Sequence, residues 1–344
     1  MPHKTLYRDH DGAVILDQTQ LPFRVADRRL RRLEDASDAI RGMQVRGAPL
    51  IGATAACGVA LAMQVDSSDS ALERALETLG ATRPTAVNLH WALARMRTAL
   101  SRVPADMRAE AAWTEFETIC REDIETNAAI GRHGLDLIHQ AAGKHGDRPV
   151  RVMTHCNAGW LATLGHGTAL APIYAAHRAG VPVEVWVSET RPRNQGLLTA
   201  WELREEGIAH RLIADNAAGL LIARGEVDLV ITGADRVAAN GDTANKVGTY
   251  LKALAAADNG VPFYIAAPRS TIDANCPRGS DIPIEQRDGN EVRQLHGMRH
   301  GVPDSIAIAP PEVAVANPAF DVTPARLITA IVTEAGIFPP DALP

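Results

Sequence analysis

The chain has 344 residues, 46% of them hydrophobic, with a formal net charge of −6. That length fits two domains, or one large α/β unit with an appendage, and that hydrophobic share is ample for a buried core. No sustained basic run offers a polyanion-binding surface, so nucleic acid is not expected as a partner; no apolar run approaches about 18 residues, so no membrane span is expected either.

The N-terminus, Met1-Pro2-His3-Lys4-Thr5-Leu6, lacks the apolar core of a signal sequence. Residues 13–16 and 21–25 read as a short hairpin. From there to about residue 143 the pattern is mainly helical. In 30–43 the apolar residues Leu30, Leu33, Ala36, Ile40 and Met43 recur at helical spacing. Segments 49–63 and 84–100 read as helices opened by Pro49 and Pro84 at the first helical position. Segment 113–138 continues helically, and 142–149 has the Gly/Lys/Asp/Pro composition of a linker. The expected division is a mainly helical domain over 1–143 and a second domain over 144–344.

In the second part strand and helix signals alternate. Apolar runs at 150–155, 183–188, 209–214, 227–232 and 263–267 are separated by helical stretches at 168–178, 197–206, 216–224 and 246–258. Gly180, Gly207, Gly225 and Gly260 stand at the helix ends as caps. This alternation predicts an α/β fold, a Rossmann-like three-layer sandwich on a parallel sheet. Residues 324–335 read as a final helix with Thr323 as its N-cap.

Each predicted strand of this part runs out into polar or reactive residues. They are Cys156-Asn157, Glu189 through Gly196, Asp215-Asn216, Asp235-Arg236 and Pro268-Arg269-Ser270. In an open parallel sheet the crevice beyond the carboxyl ends of the strands is the usual ligand site. A single polar loop is ordinary; five on one rim describe a polar crevice. Cysteine at a strand edge is most often a small buried hydrophobe, yet the polar Cys156-Asn157-Ala158-Gly159 run turns Cys156 toward the rim. Asp235 follows Gly233-Ala234, a pair able to turn the carboxylate back over the sheet. A thiol and a carboxylate together there are suited to moving protons.

In the helical part, Arg46-Gly47-Ala48-Pro49 and Arg83-Pro84 each set a guanidinium beside a predicted helix start. Free backbone N–H groups and a partial positive charge there suit phosphate, and Arg adds bidentate donors. Lys246, at the entrance to the helix predicted over 246–258, is poorly placed for the helix dipole and is a candidate anion ligand, with Asn245 as a cap. Gly165-His166-Gly167 lacks the third glycine of a dinucleotide fingerprint, and no P-loop is present. The four cysteines (57, 120, 156 and 276) form no CxxC pair and no metal-like spacing, which points to a reduced cytoplasmic enzyme without metal.

Taken in order, Arg46 through Gly52, Arg83 through Leu89, Thr154-His155-Cys156-Asn157-Ala158-Gly159 and Glu189-Thr190-Arg191-Pro192-Arg193 closely resemble the methylthioribose-1-phosphate isomerase family. So do Gln195-Gly196, Gly233 through Arg236, Ala239 through Asp242 and Asn245 through Tyr250. The resemblance covers most of the chain and extends to regulatory subunits of the exchange factor for translation initiation factor two. It implies isomerisation of an aldose 1-phosphate to a ketose 1-phosphate in methionine salvage, with no cofactor. It further implies Asp235 as proton donor, Cys156 as the second catalytic residue, and Arg46, Gly47, Ala48, Arg83, Gln195, Asn245 and Lys246 as substrate ligands. One departure is Asn194, where the family pattern has an apolar residue, in a loop one residue shorter before Thr199-Ala200-Trp201. It puts the 5-substituent in question and makes 5-deoxyribose 1-phosphate a competing substrate; the wider fold family adds ribose 1,5-bisphosphate as a substrate and a non-catalytic regulatory subunit as the competing role. A homodimer is the default assembly, twofold dimers being the commonest.

Overall fold

Residues 3–146 and 148–343 are described by the structure, a computed structural model. The chain opens with three antiparallel strands, β1 (Leu6–Asp9), β2 (Gly12–Leu16) and β3 (Asp27–Leu30). The hairpin partner expected at 21–25 is not a strand. Pro22 has no N–H to give a ladder, and β2 pairs instead with the charged edge strand β3, Ala13 opposite Leu30.

Five helices follow: α1 (Leu33–Arg41), α2 (Ala48–Val65), α3 (Asp69–Gly80), α4 (Val87–Leu100) and α5 (Arg108–His145). The sequence reading passed over α3, whose N-cap Ser68 accepts from the Ala71 amide at 3.2 Å. Helix α2 corrects the expectation about apolar runs. It is 18 residues long and apolar enough to cross a membrane by length and composition alone. It is a core helix, buried against α1, α3, α4 and α5, and a helix apolar all round needs such a wrapping. Helix α5 runs through the 142–145 stretch read as linker. Trp113, Phe116 and Ile119 near its start belong to the core of the helical part, whereas Ile130, Leu137 and Ile138 belong to the core under the main sheet.

The remaining elements are β4 (Val150–Thr154), α6 (Ala171–Arg178), β5 (Val183–Ser188), α7 (Gly196–Glu205), β6 (Ala209–Ile213), α8 (Ala217–Ala223), β7 (Leu229–Thr232), β8 (Arg236–Ala238), β9 (Thr243–Lys246), α9 (Thr249–Asp258), β10 (Phe263–Ala266), β11 (Ile272–Asp273), α10 (Asn290–Arg293), β12 (Gln294–Arg299), β13 (Val302–Ala307), β14 (Phe320–Thr323), β15 (Ala330–Thr333) and β16 (Gly336–Phe338). The main sheet has the order β16-β15-β10-β7-β4-β5-β6 and is parallel except at β15–β16. Alternate side chains enter opposite layers, as the pleat requires. Val152, Val185 and Leu229 pack with α5, α6 and α7, while Met153, Trp186 and Val230 pack with α8 and α9. The glycines expected as caps, Gly180, Gly207, Gly225 and Gly260, all adopt φ between 66° and 77°.

The segment 324–335 is not a helix. A single 3₁₀ turn at Ala325–Leu327 leads into β15, which pairs with β10. A short apolar run cannot be told from a buried helix by periodicity; the open edge of β10 decides the matter. Also absent from the sequence reading are the four-stranded sheet β11-β8-β9-β14 and the hairpin β12–β13.

Candidate active site

The sheet order locates the site. From β4 the chain steps outward to β5 and β6, then returns to β7 on the other side of β4. The crevice at such a reversal is open at the carboxyl ends of the strands. Cys156 follows β4 and Asp235 follows β7, so the two flank it. A cleft with about 680 Å³ of empty space lies there, roofed by the start of α2. Among its lining are all nine residues singled out in the sequence: Arg46, Gly47, Ala48, Arg83, Cys156, Gln195, Asp235, Asn245 and Lys246. Of the five expected strand ends, four reach the cleft. The fifth, Asp215 after β6, instead accepts from the amides of Thr190 (2.8 Å) and Arg191 (2.7 Å) and from the Ser188 hydroxyl. It holds the end of β5 from the side.

Cys156 sits at φ 66°, a left-handed conformation a non-glycine residue adopts only when its surroundings impose it. Those surroundings are two threonines. The Cys156 amide donates to Thr190 Oγ1 at 2.9 Å, and the Cys156 carbonyl accepts from Thr199 Oγ1 at 2.8 Å. Burial pushes the thiol up; Arg46 and Lys246 pull it back in part, and Asp235 adds to the rise. The Asp235 carboxyl is likewise held above its ordinary range by burial, against the opposing pull of Lys246, Arg83 and Arg46. In the ligand-free cleft burial therefore works against ionisation of both groups, and the neighbouring cations work for it.

The cations come from both parts of the chain. Lys246 is 9% exposed; its Nζ donates to the Ala319 carbonyl at 2.9 Å and lies 4.7 Å from the centre of the Phe320 ring. Burial lowers its ammonium pKa, while Cys156 and Asp235 counteract the shift. Arg46 is 8% exposed and forks onto Asn157, one nitrogen on the side-chain Oδ1 and the other on the backbone carbonyl at 2.6 Å. Arg83 Nη2 lies 3.3 Å from Glu285 Oε2.

Two local expectations change. Lys246 and Asn245 lie in β9, paired with β14, rather than at a helix entrance. The cap of α9 comes from Asp321, which accepts from the amides of Gly248 (2.6 Å) and Tyr250 (3.1 Å); Asn245 donates to Thr249 Oγ1 at 3.0 Å. Helix α4 begins at Val87, so Arg83-Pro84 belongs to the turn before it. The helix expected at Pro49 is present but starts one residue earlier, at Ala48 after Gly47 at φ 95°, so Pro49 is its second residue. Gly47 is required there: a Cβ would stand 2.5 Å from Ala162. Gln195 is buried and its Oε1 has no protein partner, as suits a group kept for a ligand. The sequence reading overlooked Glu202 and Glu285. A lone acid within the apolar Leu197-Leu198-Thr199-Ala200-Trp201-Glu202-Leu203 run was the available signal for the first.

The initiation factor 2 subunit family model matches residues 44–340 of this chain. The methylthioribose-1-phosphate isomerase of Dechloromonas aromatica (strain RCB) is 60% identical over 342 residues, 98% of this chain and 94% of that protein. The protein of the same name from Methylorubrum extorquens is 56% identical over 98% of this chain and 93% of its own length. Among solved structures, the 5-methylthioribose 1-phosphate isomerase of Pyrococcus horikoshii OT3 superposes with a TM-score of 0.84 at 39% identity, over 98% of this chain and 93% of that one. The translation initiation factor eIF-2B, subunit delta, from A. fulgidus gives 0.81 at 38%, over 98% and 96%.

Proposed function

Because the chain belongs to the initiation factor 2 subunit family, and within it to the methylthioribose-1-phosphate isomerases, we infer that it converts 5-methylthioribose 1-phosphate to 5-methylthioribulose 1-phosphate in methionine salvage. The observation that carries the reading is the meeting of Cys156 and Asp235 with three cationic side chains in one cleft. A pure sensor of phosphosugars needs the cations but neither of the other two. The test is incubation with methylthioribose 1-phosphate, with the ketose followed by NMR. No turnover of this or any other 5-modified ribose 1-phosphate would leave a regulatory subunit as the role. A panel bearing methylthio, deoxy, hydroxyl or phosphate at C5 ranks the competing substrates.

The substrate carries phosphate on its anomeric oxygen, so the ring must open with the phosphate attached. Protonated Asp235 gives its proton to the ring oxygen as the C1–O4 bond breaks. The Cys156 thiolate takes the proton from C2, leaving a C1–C2 enol phosphate. The thiol then returns that proton to C1, and the C2 hydroxyl gives its own to the Asp235 carboxylate as the ketone forms. Both residues end as they began. Where the thiol exchanges its proton with solvent before returning it, turnover in D₂O places deuterium at C1, and any such label excludes a direct hydride shift from C2.

In this reading Arg46, Gly47, Ala48, Arg83, Gln195, Asn245 and Lys246 hold the sugar phosphate. The helical domain (1–143) and the sheet domain (144–344) share the work, since Arg83 comes from one and Lys246 from the other. Their contacts support such a joint site: Arg236 donates to the Thr85 carbonyl at 2.8 Å, and Asn88 to Ser270 at 3.1 Å. Replacing Arg83 with Ala should raise KM roughly 10–100-fold, the scale of a lost charge-assisted hydrogen bond, and weaken competition by sulfate in parallel. An unchanged KM would take Arg83 out of the phosphate site. We further read the protein as a cytoplasmic homodimer; the free cysteines support a reducing compartment.

A further inference from the structure

Behind Arg46, running back from the cleft wall at Asn157, lies a polar chain that the reaction described above does not use. Asn157 is 3% exposed and Glu202 fully buried. The Asn157 Nδ2 donates to Glu202 Oε1 at 2.5 Å and to Thr199 Oγ1 at 3.1 Å. The other Glu202 oxygen accepts from the Tyr174 hydroxyl at 2.9 Å. Gly159 is the place where the loop after β4 closes on this carboxyl, since a Cβ there would stand 2.2 Å from Glu202 Oε2.

An asparagine amide has two faces, and which one it shows is set by its neighbours. With Nδ2 turned to Glu202, the Oδ1 acceptor must face Arg46, and a guanidinium can only donate. Were the amide reversed, two donors would meet at Arg46 and a carbonyl would meet the acceptors of Glu202. The carboxyl thus selects the orientation that lets Asn157 hold both guanidinium nitrogens. Burying a carboxyl group is costly without such partners; besides Asn157 and the Tyr174 hydroxyl, Glu202 also takes a backbone hydrogen bond from Leu161.

We propose that Glu202 is a positioning residue for phosphate binding, acting through Asn157 to hold the Arg46 guanidinium in place. Tyr174 on α6 and Glu202 on α7 form the rear anchor of the chain, Asn157 at the end of β4 is its middle, and Arg46 ahead of α2 its working end. The carboxyl is pushed up to about 7 by burial, against the opposing hydrogen bonds from Asn157 and Tyr174. It keeps an acceptor oxygen for Asn157 in either protonation state.

The proposal rests on the reading of Arg46 as a phosphate ligand, and the test separates the two. KM, kcat and the inhibition constant for sulfate are measured for Arg46→Ala, Glu202→Leu, Glu202→Gln and the Arg46→Ala/Glu202→Leu pair. Leucine removes both acceptor oxygens at similar volume. It should raise KM and the sulfate constant about tenfold, the scale of a weakened hydrogen bond to charge, with kcat changed less than about threefold. Glutamine keeps one acceptor for Asn157 and should recover most of the loss. The double variant should bind no more weakly than Arg46→Ala alone, because both changes remove one interaction. Effects that multiply in the double variant, or a fall in kcat at unchanged KM, overturn the proposal. An unchanged KM in Arg46→Ala instead overturns the ligand role of Arg46, and the proposal with it. Should Glu202→Leu not fold, Glu202→Gln decides in the same two backgrounds. A two- to threefold KM rise confined to the chain with Arg46 supports the proposal, and an equal rise in both overturns it.

Discussion

Cys156→Ser is expected to lower kcat by roughly 10²–10⁴, the usual contribution of a positioned acid or base, while KM and the inhibition constant for sulfate change less than about threefold. The hydroxyl fits the space of the thiol and tolerates the same left-handed backbone, so the bonds from Cys156 to Thr190 and Thr199 should survive. What disappears is the thiolate. Even raised by burial, a thiol ionises far more readily than an alkyl hydroxyl. Near-normal turnover in this variant would return Cys156 to the role of a small buried side chain.

Asp235→Asn keeps size and hydrogen bonding but has no carboxylic proton to deliver. It is expected to lower kcat by a similar order and leave KM within a few-fold, since a proton donor acts chiefly in the transition state. The surrounding charges add a second expectation. In the free enzyme Lys246, Arg83 and Arg46 oppose the effect of burial on Asp235. A bound phosphate offsets those cations, so the carboxyl pKa must rise further, and binding should take up protons. Calorimetry of sulfate binding in buffers of different ionisation enthalpy reads this uptake, which should shrink in Asp235→Asn. If KM instead rises steeply and the rate at saturation survives, Asp235 positions the ligand and the acid lies elsewhere on the rim.

Much of the cleft is legible in the sequence. The short runs that became β4, β5, β6, β7 and β10 are bounded by glycines at helix ends and by polar residues at strand ends. Both signals act within a few residues of where they are read. The motifs at 46–52, 154–159 and 233–250 gather at the ends of α2, β4 and β7 and on β9, where the chain approaches the cleft, and their polar residues stand out from the apolar runs beside them. Less legible were segments whose state depends on a distant partner. β3 is a strand because β2 is beside it, β15 because β10 has a free edge, and β9 because β14 returns from 74 residues further on, Phe320 opposite Lys246.

By itself, then, the sequence determined the α/β alternation, the reactive strand ends and the family to which they belong, because periodicity, turn chemistry and motif spacing are local properties of the chain. Only the tertiary structure decided which ends meet. It brought four of them to the cleft at the β4–β7 switch and turned the fifth, Asp215, into a brace for the β5 end. It placed Lys246 on a strand with its ammonium against the Phe320 ring, and gave the cap of α9 to Asp321. It also set Glu202, an acid in an apolar helix, behind Asn157 and Arg46. Strand order, pairing across long loops and the partners of a buried carboxyl are settled by burial and hydrogen-bond satisfaction over the whole molecule, and no window of neighbouring residues contains that information.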